Sequence, residues 1–314
     1  MAGGVERALR RRIRSVQSTK KITRAMELIA ASRILRAQQR VAAARPYIDQ
    51  LTEVIRNLSK GGAGLNQGLL APRTEVSNVG FVVVTADRGL CGGYNANIER
   101  AAERAVAREK AEGRGYRIFV AGRKGQTFFR YRHYEVAGSF TGFSEQPTYE
   151  DARAIASAVM ALFDAGEIDQ VQLIYTQFLS VGSQRVVERR FVPMDATALG
   201  EAAAGDDGTP TSYEFEPEPD SILTQLLPRY VEGRLFAALL DAAASEQAAR
   251  QRAMKAATDN ANELTKTLER IANRARQDSI TTEITEIVGG AEGMAQGRAD
   301  QEHETHEFHE AAEV

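Results

Sequence analysis

The sequence predicts an α/β chain. A small, mostly parallel, layered central domain is joined to a long antiparallel α-helical coiled coil formed by the N- and C-terminal helices. Three observations carry this expectation. Helical periodicity runs almost unbroken over residues 5–58 and again over 221–288. Between them, short β-branched runs alternate with helical segments. The lengths then decide the architecture. At about 1.5 Å per residue the two helices reach roughly 80 and 100 Å, whereas a small domain is about 30 Å across. The rest of the chain is too small to cover them, so they must project, pair along their stripes and be sheltered further by other proteins.

The first helix is rich in Ala, Arg, Leu, Gln and Glu, all good helix formers. Apolar residues recur at helical spacing: Leu9, Ile13 and Val16; Ile22, Met26 and Ile29; Leu51, Val54 or Ile55, and Leu58. Pro46 predicts a kink near residues 42–46, and Gly61, Gly62 and Gly64 predict the end. The second helix starts at Asp220 or Ser221, after the breaker Pro217–Pro219. Its stripe is Leu223, Leu226 or Leu227, Tyr230, then Leu264, Leu268, Ile271, then Ile280, Ile284, Ile287, and Gly289–Gly290 are expected to stop it.

In the middle, GFVVVTA at 80–86 reads as a buried strand, 95–112 as a helix and RIFVA at 117–121 as a strand. A short helix follows over 123–131, then a possible strand over 134–137 and a helix opened by Pro147 and Thr148 through about 165. Strands over 170–176 and 185–192 complete the set. The expected divisions are 1–60, the first shaft helix; 76–195, the α/β domain; 196–220, an acidic loop; 221–290, the second shaft helix; and 291–314, a disordered acidic, His-rich tail.

The charge is polarised. Residues 1–60 hold 14 Lys and Arg against 4 Asp and Glu, while 195–220 hold 8 acidic residues and no basic one. Such a chain offers different surfaces to different partners. One cysteine, Cys91, excludes an internal disulfide and fits a reducing compartment. No stretch approaches the roughly 18 apolar residues of a membrane span, so a soluble, cytosolic chain is expected that meets a membrane only through partners.

Candidate chemistry is sparse. The turn DRGLCGGYN at 87–95 sits where a strand feeds a helix, the place of a phosphate loop in nucleotide-binding sheets. Its glycines do not fit G-x-G-x-x-G, and no Walker-type motif occurs, so a tight structural turn is the simpler reading. His303, His306 and His309 recur every third residue but lack a core to hold a metal. No nucleophile–base pair or isolated carboxylate pair stands out, so no catalytic residue, cofactor or metal is expected. The basic residues of the first helix alternate with stripe positions, which favours a protein-facing surface over nucleic acid.

At this point several segments become familiar. KKITRAMELIAAS at 20–32, ARPY at 44–47, TADRGLCGGYNAN at 85–97, AATDN at 256–260 and ARQDSITTEITEIVGG at 275–290 resemble, in order, the gamma subunit of bacterial F-type ATP synthases. The resemblance implies a central rotor, one copy per complex. Its coiled coil would turn inside a ring of three alpha and three beta chains, with its foot on the epsilon subunit and the membrane c-ring. The complex would sit on the cytoplasmic side of the inner (plasma) membrane, couple proton flow to ATP synthesis, and keep its catalytic sites on the beta chains. The resemblance also implies that Lys20, Lys21, Met26 and Arg33, with Arg276, Gln277 and Thr281, face the catalytic hexamer. Tyr213, Phe215 and Glu216 fall in the segment that resembles the c-ring-facing region. The alternatives are a nucleotide-binding α/β protein with helical arms, using the 87–95 turn, and a static coiled-coil scaffold or nucleic-acid clamp.

Overall fold

The computed structural model describes residues 2–60, 69, 70, 73, 75–194 and 218–310. Its elements are α1 (Ala2–Lys60), β1 (Asn78–Val84), α2 (Tyr94–Ala111), β2 (Gly115–Ala121), α3 (Arg123–Tyr131), β3 (Val136–Phe140), α4 (Tyr149–Asp164), β4 (Gln170–Phe178), β5 (Gln184–Val192) and α5 (Pro219–Glu310). The chain forms two compact units, Ala25–Lys255 and a second made of Met1–Arg24 with Ala256–Val314.

In the larger unit one five-stranded sheet has the order β3-β2-β1-β4-β5. β1 pairs in parallel with β2 and β4, β2 pairs in parallel with β3, and β5 closes the edge antiparallel to β4. β1 is buried over six of its seven residues because the sheet is covered on both faces. One face packs Val82, Val84 and Phe119 against α4, the end of α1 and the start of α5. The other packs Phe81, Val83 and Ile118 against α2 and Phe129. α4 begins with a capping box in which Thr148 and Asp151 satisfy each other's backbone amides. The third strand lies later than the sequence suggested. His133 turns with φ 58°, and the Tyr134 ring packs edge-on against Phe129 and Tyr116 instead of joining the ladder.

Within this unit α1 and α5 pair antiparallel. Thr52 lies 3.5 Å from the Tyr230 hydroxyl, and farther back along α1 Ile48 approaches Gly233, farther on along α5. Leu51, Ile55, Leu58, Leu223, Leu227 and Tyr230 are buried there as the stripes require. Pro46 lies inside α1 without ending it.

The smaller unit shows a seam whose phase the large apolar residues mark only in part. Along α1 the least exposed positions are Glu6, Leu9, Ile13, Val16, Lys20 and Thr23; along α5 they include Thr258, Ala261, Thr265, Leu268, Ala272 and Ala275. Both series alternate steps of three and four, the 3.5-residue period of a coiled coil. Thr23 and Thr258 meet across it, 2.8 Å apart. The α5 side of the seam is mostly Ala and Thr, while on α1 Leu9, Ile13 and Val16 lie where the stripe placed them. Ile22, Leu264 and Ile271, expected on the buried stripe, are instead 59%, 40% and 46% exposed, and so is Ile29 of the larger unit, at 52%.

α5 does not stop at Gly289–Gly290 but continues to Glu310, so the expected disordered tail is helical over 291–310. A mid-helix glycine costs about 1 kcal/mol relative to alanine, which weakens a helix without ending it when no proline follows. The side chains of His303, His306 and His309, residues 311–314, and most of the 196–220 loop lie outside the described residues.

Candidate functional site

The turn after β1 is a structural knot built from its own side chains. Thr85, 1% exposed, donates from its hydroxyl to the Ala121 carbonyl (3.0 Å) and accepts from the Gly125 amide (3.0 Å). Gly122 follows with φ 101°, and a Cβ there would lie 2.2 Å from the Thr85 carbonyl oxygen, so only glycine fits. Asp87 accepts from the amides of Gly142, Ser144 and Arg123 at 2.9–3.0 Å. Burial pushes its carboxyl up, but these amides and the Ser144 side chain outweigh that and hold it below the usual carboxylate value. Asn95 accepts from the Ala86 amide (2.9 Å) and donates to Cys91 Sγ (3.3 Å). Cys91 is buried, and its thiol is pushed up by burial and by Glu246.

α5 lies across this knot. Every residue from Ala242 to Ala248 is buried, a run of mostly alanine that lets the helix pass close to protein on all sides. The Tyr94 hydroxyl donates to the Ala242 carbonyl (3.2 Å), and Ser245 Oγ donates to the Thr176 carbonyl at the end of β4 (3.1 Å). β1 and β4 are neighbours whose connections leave in opposite directions, the topological switch point where open α/β sheets take nucleotides. Here that crevice holds a helix of the chain itself.

A buried charge cluster fixes the helix there. Arg250 Nη2 lies 2.7 Å from Glu246 Oε1, with the side chains 6% and 1% exposed. Arg250 also reaches the carbonyls of Arg88 and Gly89 at 3.5 and 3.4 Å. Glu145 gathers Arg33 (2.5 Å), Arg88 (3.8 Å) and Arg250 (3.9 Å). Burial raises the Glu246 carboxyl, and Arg250 opposes the rise. Arg250 and the Ser144 side chain hydrogen-bond the Glu246 carboxyl, but Arg250 Nη1 is buried without a hydrogen-bond partner, so the cluster is incompletely satisfied. These residues were not singled out from the sequence, although Glu246 and Arg250 stand at i and i+4 on one helix face.

Of the residues singled out, Arg33 belongs to this cluster, Met26 is half-buried on α1, and Lys20 lies half-buried on the seam with Lys21 exposed beside it. Arg276, Gln277 and Thr281 are exposed on α5. Tyr213, Phe215 and Glu216 lie outside the described residues. Farther along α5, Ile280, Ile284, Ile287 and Val288 are 49–72% exposed. Thr281, Thr282 and Thr285 donate their hydroxyls to carbonyls four residues back, at 2.9–3.0 Å. That surface therefore presents apolar groups and few free donors.

A family model described as ATP synthase matches residues 6–294. The chain belongs to the ATP synthase gamma family. It is 50% identical to the ATP synthase gamma chain of Parafrankia sp. over 95% of its length and all of that relative. It is 47% identical to the gamma chain of Mycolicibacterium smegmatis, covering 92% of this chain and 97% of that one. Its fold is similar to a chain of the Euglena gracilis mitochondrial ATP synthase OSCP/F1/c-ring assembly, with TM-score 0.64, 18% identity and coverage of 94% and 96%. It is also similar to a chain of the Tetrahymena thermophila central stalk and c-ring, with TM-score 0.55, 24% identity and coverage of 75% and 99%. Gamma subunits of this family carry no catalytic site. Among the described residues no helix is long and apolar enough to cross a membrane, and no group of three or more His, Cys, Asp or Glu comes together for a metal.

Proposed function

We propose that this chain is the central-stalk rotor of a proton-translocating F-type ATP synthase, transmitting rotation of a membrane c-ring to an alpha/beta hexamer that makes ATP. The observation that carries this reading is the pair of long helices on which large apolar residues such as Ile22, Ile29, Ile271, Ile280, Ile284 and Ile287 are left uncovered, together with an α/β domain whose ligand crevice is filled by one of those helices. A helix so mounted passes torque to the domain through packing and the Arg250–Glu246–Glu145 cluster. The chain would be peripheral, one copy per complex, held at the cytoplasmic face of the plasma membrane through its partners, with epsilon and the c-ring at its foot.

Catalytic chains change state only when a partner contacts their conformations differently. A rod presenting a different face to each of three identical neighbours does this. Lys20, Lys21, Met26 and Arg33 on α1, with Arg276, Gln277 and Thr281 on α5, supply that asymmetric face, and Tyr213, Phe215 and Glu216 supply contacts to the ring. Arg33 would act while braced on Glu145. The sparsely charged tip, with only Glu283 and Glu286 over 279–288, suits a sliding bearing because buried ion pairs would trap one angle. In assembled enzyme, Met26→Lys places a charge at this face and is expected to lower protons pumped per ATP hydrolysed more than it lowers assembly. An unchanged ratio would count against the role of Met26.

A further inference from the structure

One groove in the larger unit is not used by the rotor reading. It has a volume of about 670 Å³ and lies beside the 91–94 turn, flanked by α2, the start of β5 and α5. Arg100, Arg104 and Arg252 line it, and no carboxylate does. Among the described residues none of the three is ion-paired. Arg252 is held toward the β4–β5 turn by the Val181 carbonyl (2.8 Å) and Gln184 Oε1 (2.5 Å), and Arg100 by Asn97 Oδ1 (2.6 Å). Three fixed or neighbouring cations without counter-charge make a local positive field.

Two independent features point the same way. α2 starts at this wall with Gly93 as its N-cap, without a side-chain cap and without an acidic residue in its first turn, the nearest carboxylate being the buried Glu246, which is tied to Arg250. Thr176, which lines the groove, is 5% exposed, and its hydroxyl has no hydrogen-bond partner. An oxyanion in the groove would meet the arginines and the helix terminus, with that hydroxyl in the wall beneath it. The volume exceeds what one phosphate fills and lies within the range of small-ligand sites. Beyond the 91–94 turn the remaining lining is Val186, Ser245, Ala249 and Ala253, with the Tyr94 ring buried, so no aromatic face is offered to a base.

We infer that this groove binds di- or triphosphate anions, recognised by their phosphates and not by a nucleoside. The inference goes beyond the rotor function and stands or falls separately from it. Calorimetry on the full chain with inorganic pyrophosphate, ADP and orthophosphate tests it. Pyrophosphate and ADP are expected to bind within a few-fold of each other and orthophosphate more weakly. Arg104→Gln and Arg252→Gln should each weaken pyrophosphate about tenfold or more, the loss of one charge-assisted hydrogen bond. Arg104 is exposed and has no hydrogen-bond or ion-pair partner among the described residues, so its variant does not threaten folding, and Arg153→Gln, on α4, should change nothing. Absence of pyrophosphate binding at millimolar concentration would overturn the inference. Binding of ADP without pyrophosphate, or affinities unmoved in both variants, would do the same.

Discussion

Removing Glu246 should loosen the α/β domain from its helix. Glu246→Ala leaves Arg250, 6% exposed, without its partner at 2.7 Å. Breaking a buried pair by deleting one charge typically costs 3–5 kcal/mol, because the remaining charge stays buried. Glu145 still lies 3.9 Å from Arg250, and at an effective dielectric near 20 a charge at that distance returns about 4 kcal/mol of attraction. Desolvation of Glu145 consumes part of that gain, so the expected loss sits at the low end, about 3 kcal/mol. The pair itself is incompletely hydrogen-bonded, so replacing both members with apolar side chains, Glu246→Leu with Arg250→Met, should return stability to within about 1 kcal/mol of the parent. Native-state hydrogen exchange at the buried amides of β1 and β4 reads the opening of this unit. Exchange about 100-fold faster in Glu246→Ala and near-parental rates in the double variant are expected. An alanine variant exchanging within threefold of the parent would refute the reasoning.

Three further outcomes follow from the same geometry. Asp241 is pushed up to about 6 by burial, with Arg45 and Arg189 opposing. A carboxylate with a raised folded value binds its proton more tightly in the folded state, so it costs stability as pH rises through roughly 4–6 and the cost is full above that. Asp241→Asn should therefore raise the melting temperature at pH 7.5, by up to about 3 kcal/mol of stability, and the advantage should vanish near pH 4. Asp87→Ala strips three amides of their acceptor and should cost about 2 kcal/mol. Because Asp87 is held below its usual value, that penalty should persist at neutral pH and shrink as acid protonates the parent. Gly289→Ala with Gly290→Ala, where nothing lies within 4 Å of either added Cβ, should slow amide exchange in that part of α5 by roughly tenfold or more.

Much of the fold was legible because its signals were local. The run Phe81–Val84 could only be a buried strand, Thr148 and Asp151 marked the start of α4, and β-branched runs spaced by helices gave the sheet. The seam was legible at Leu9, Ile13, Val16 and Leu268 and misplaced elsewhere for a physical reason. At Ile22, Leu264 and Ile271 periodicity was weighed by large side chains, whereas the seam there is made by Thr23, Ala261, Thr265 and Ala272, which leaves those large residues for other surfaces. The glycine pair at 289–290 looked like a stop because its cost was read as prohibitive. The charge cluster was invisible because Glu246 and Arg250, one turn apart, look like an ordinary solvated pair until neighbouring elements enclose them. The alanine run around them was the available clue to enclosure on all sides.

The central claim is that this chain turns while its partners do chemistry. A marker attached through Tyr131→Cys, 80% exposed on α3, would report its motion, since Cys91 is buried and its thiol resists labelling. In assembled enzyme hydrolysing ATP, single-molecule imaging should show continuous rotation in one direction that stops when ATP is withdrawn. Sustained hydrolysis with the marker stationary relative to the hexamer would contradict the account.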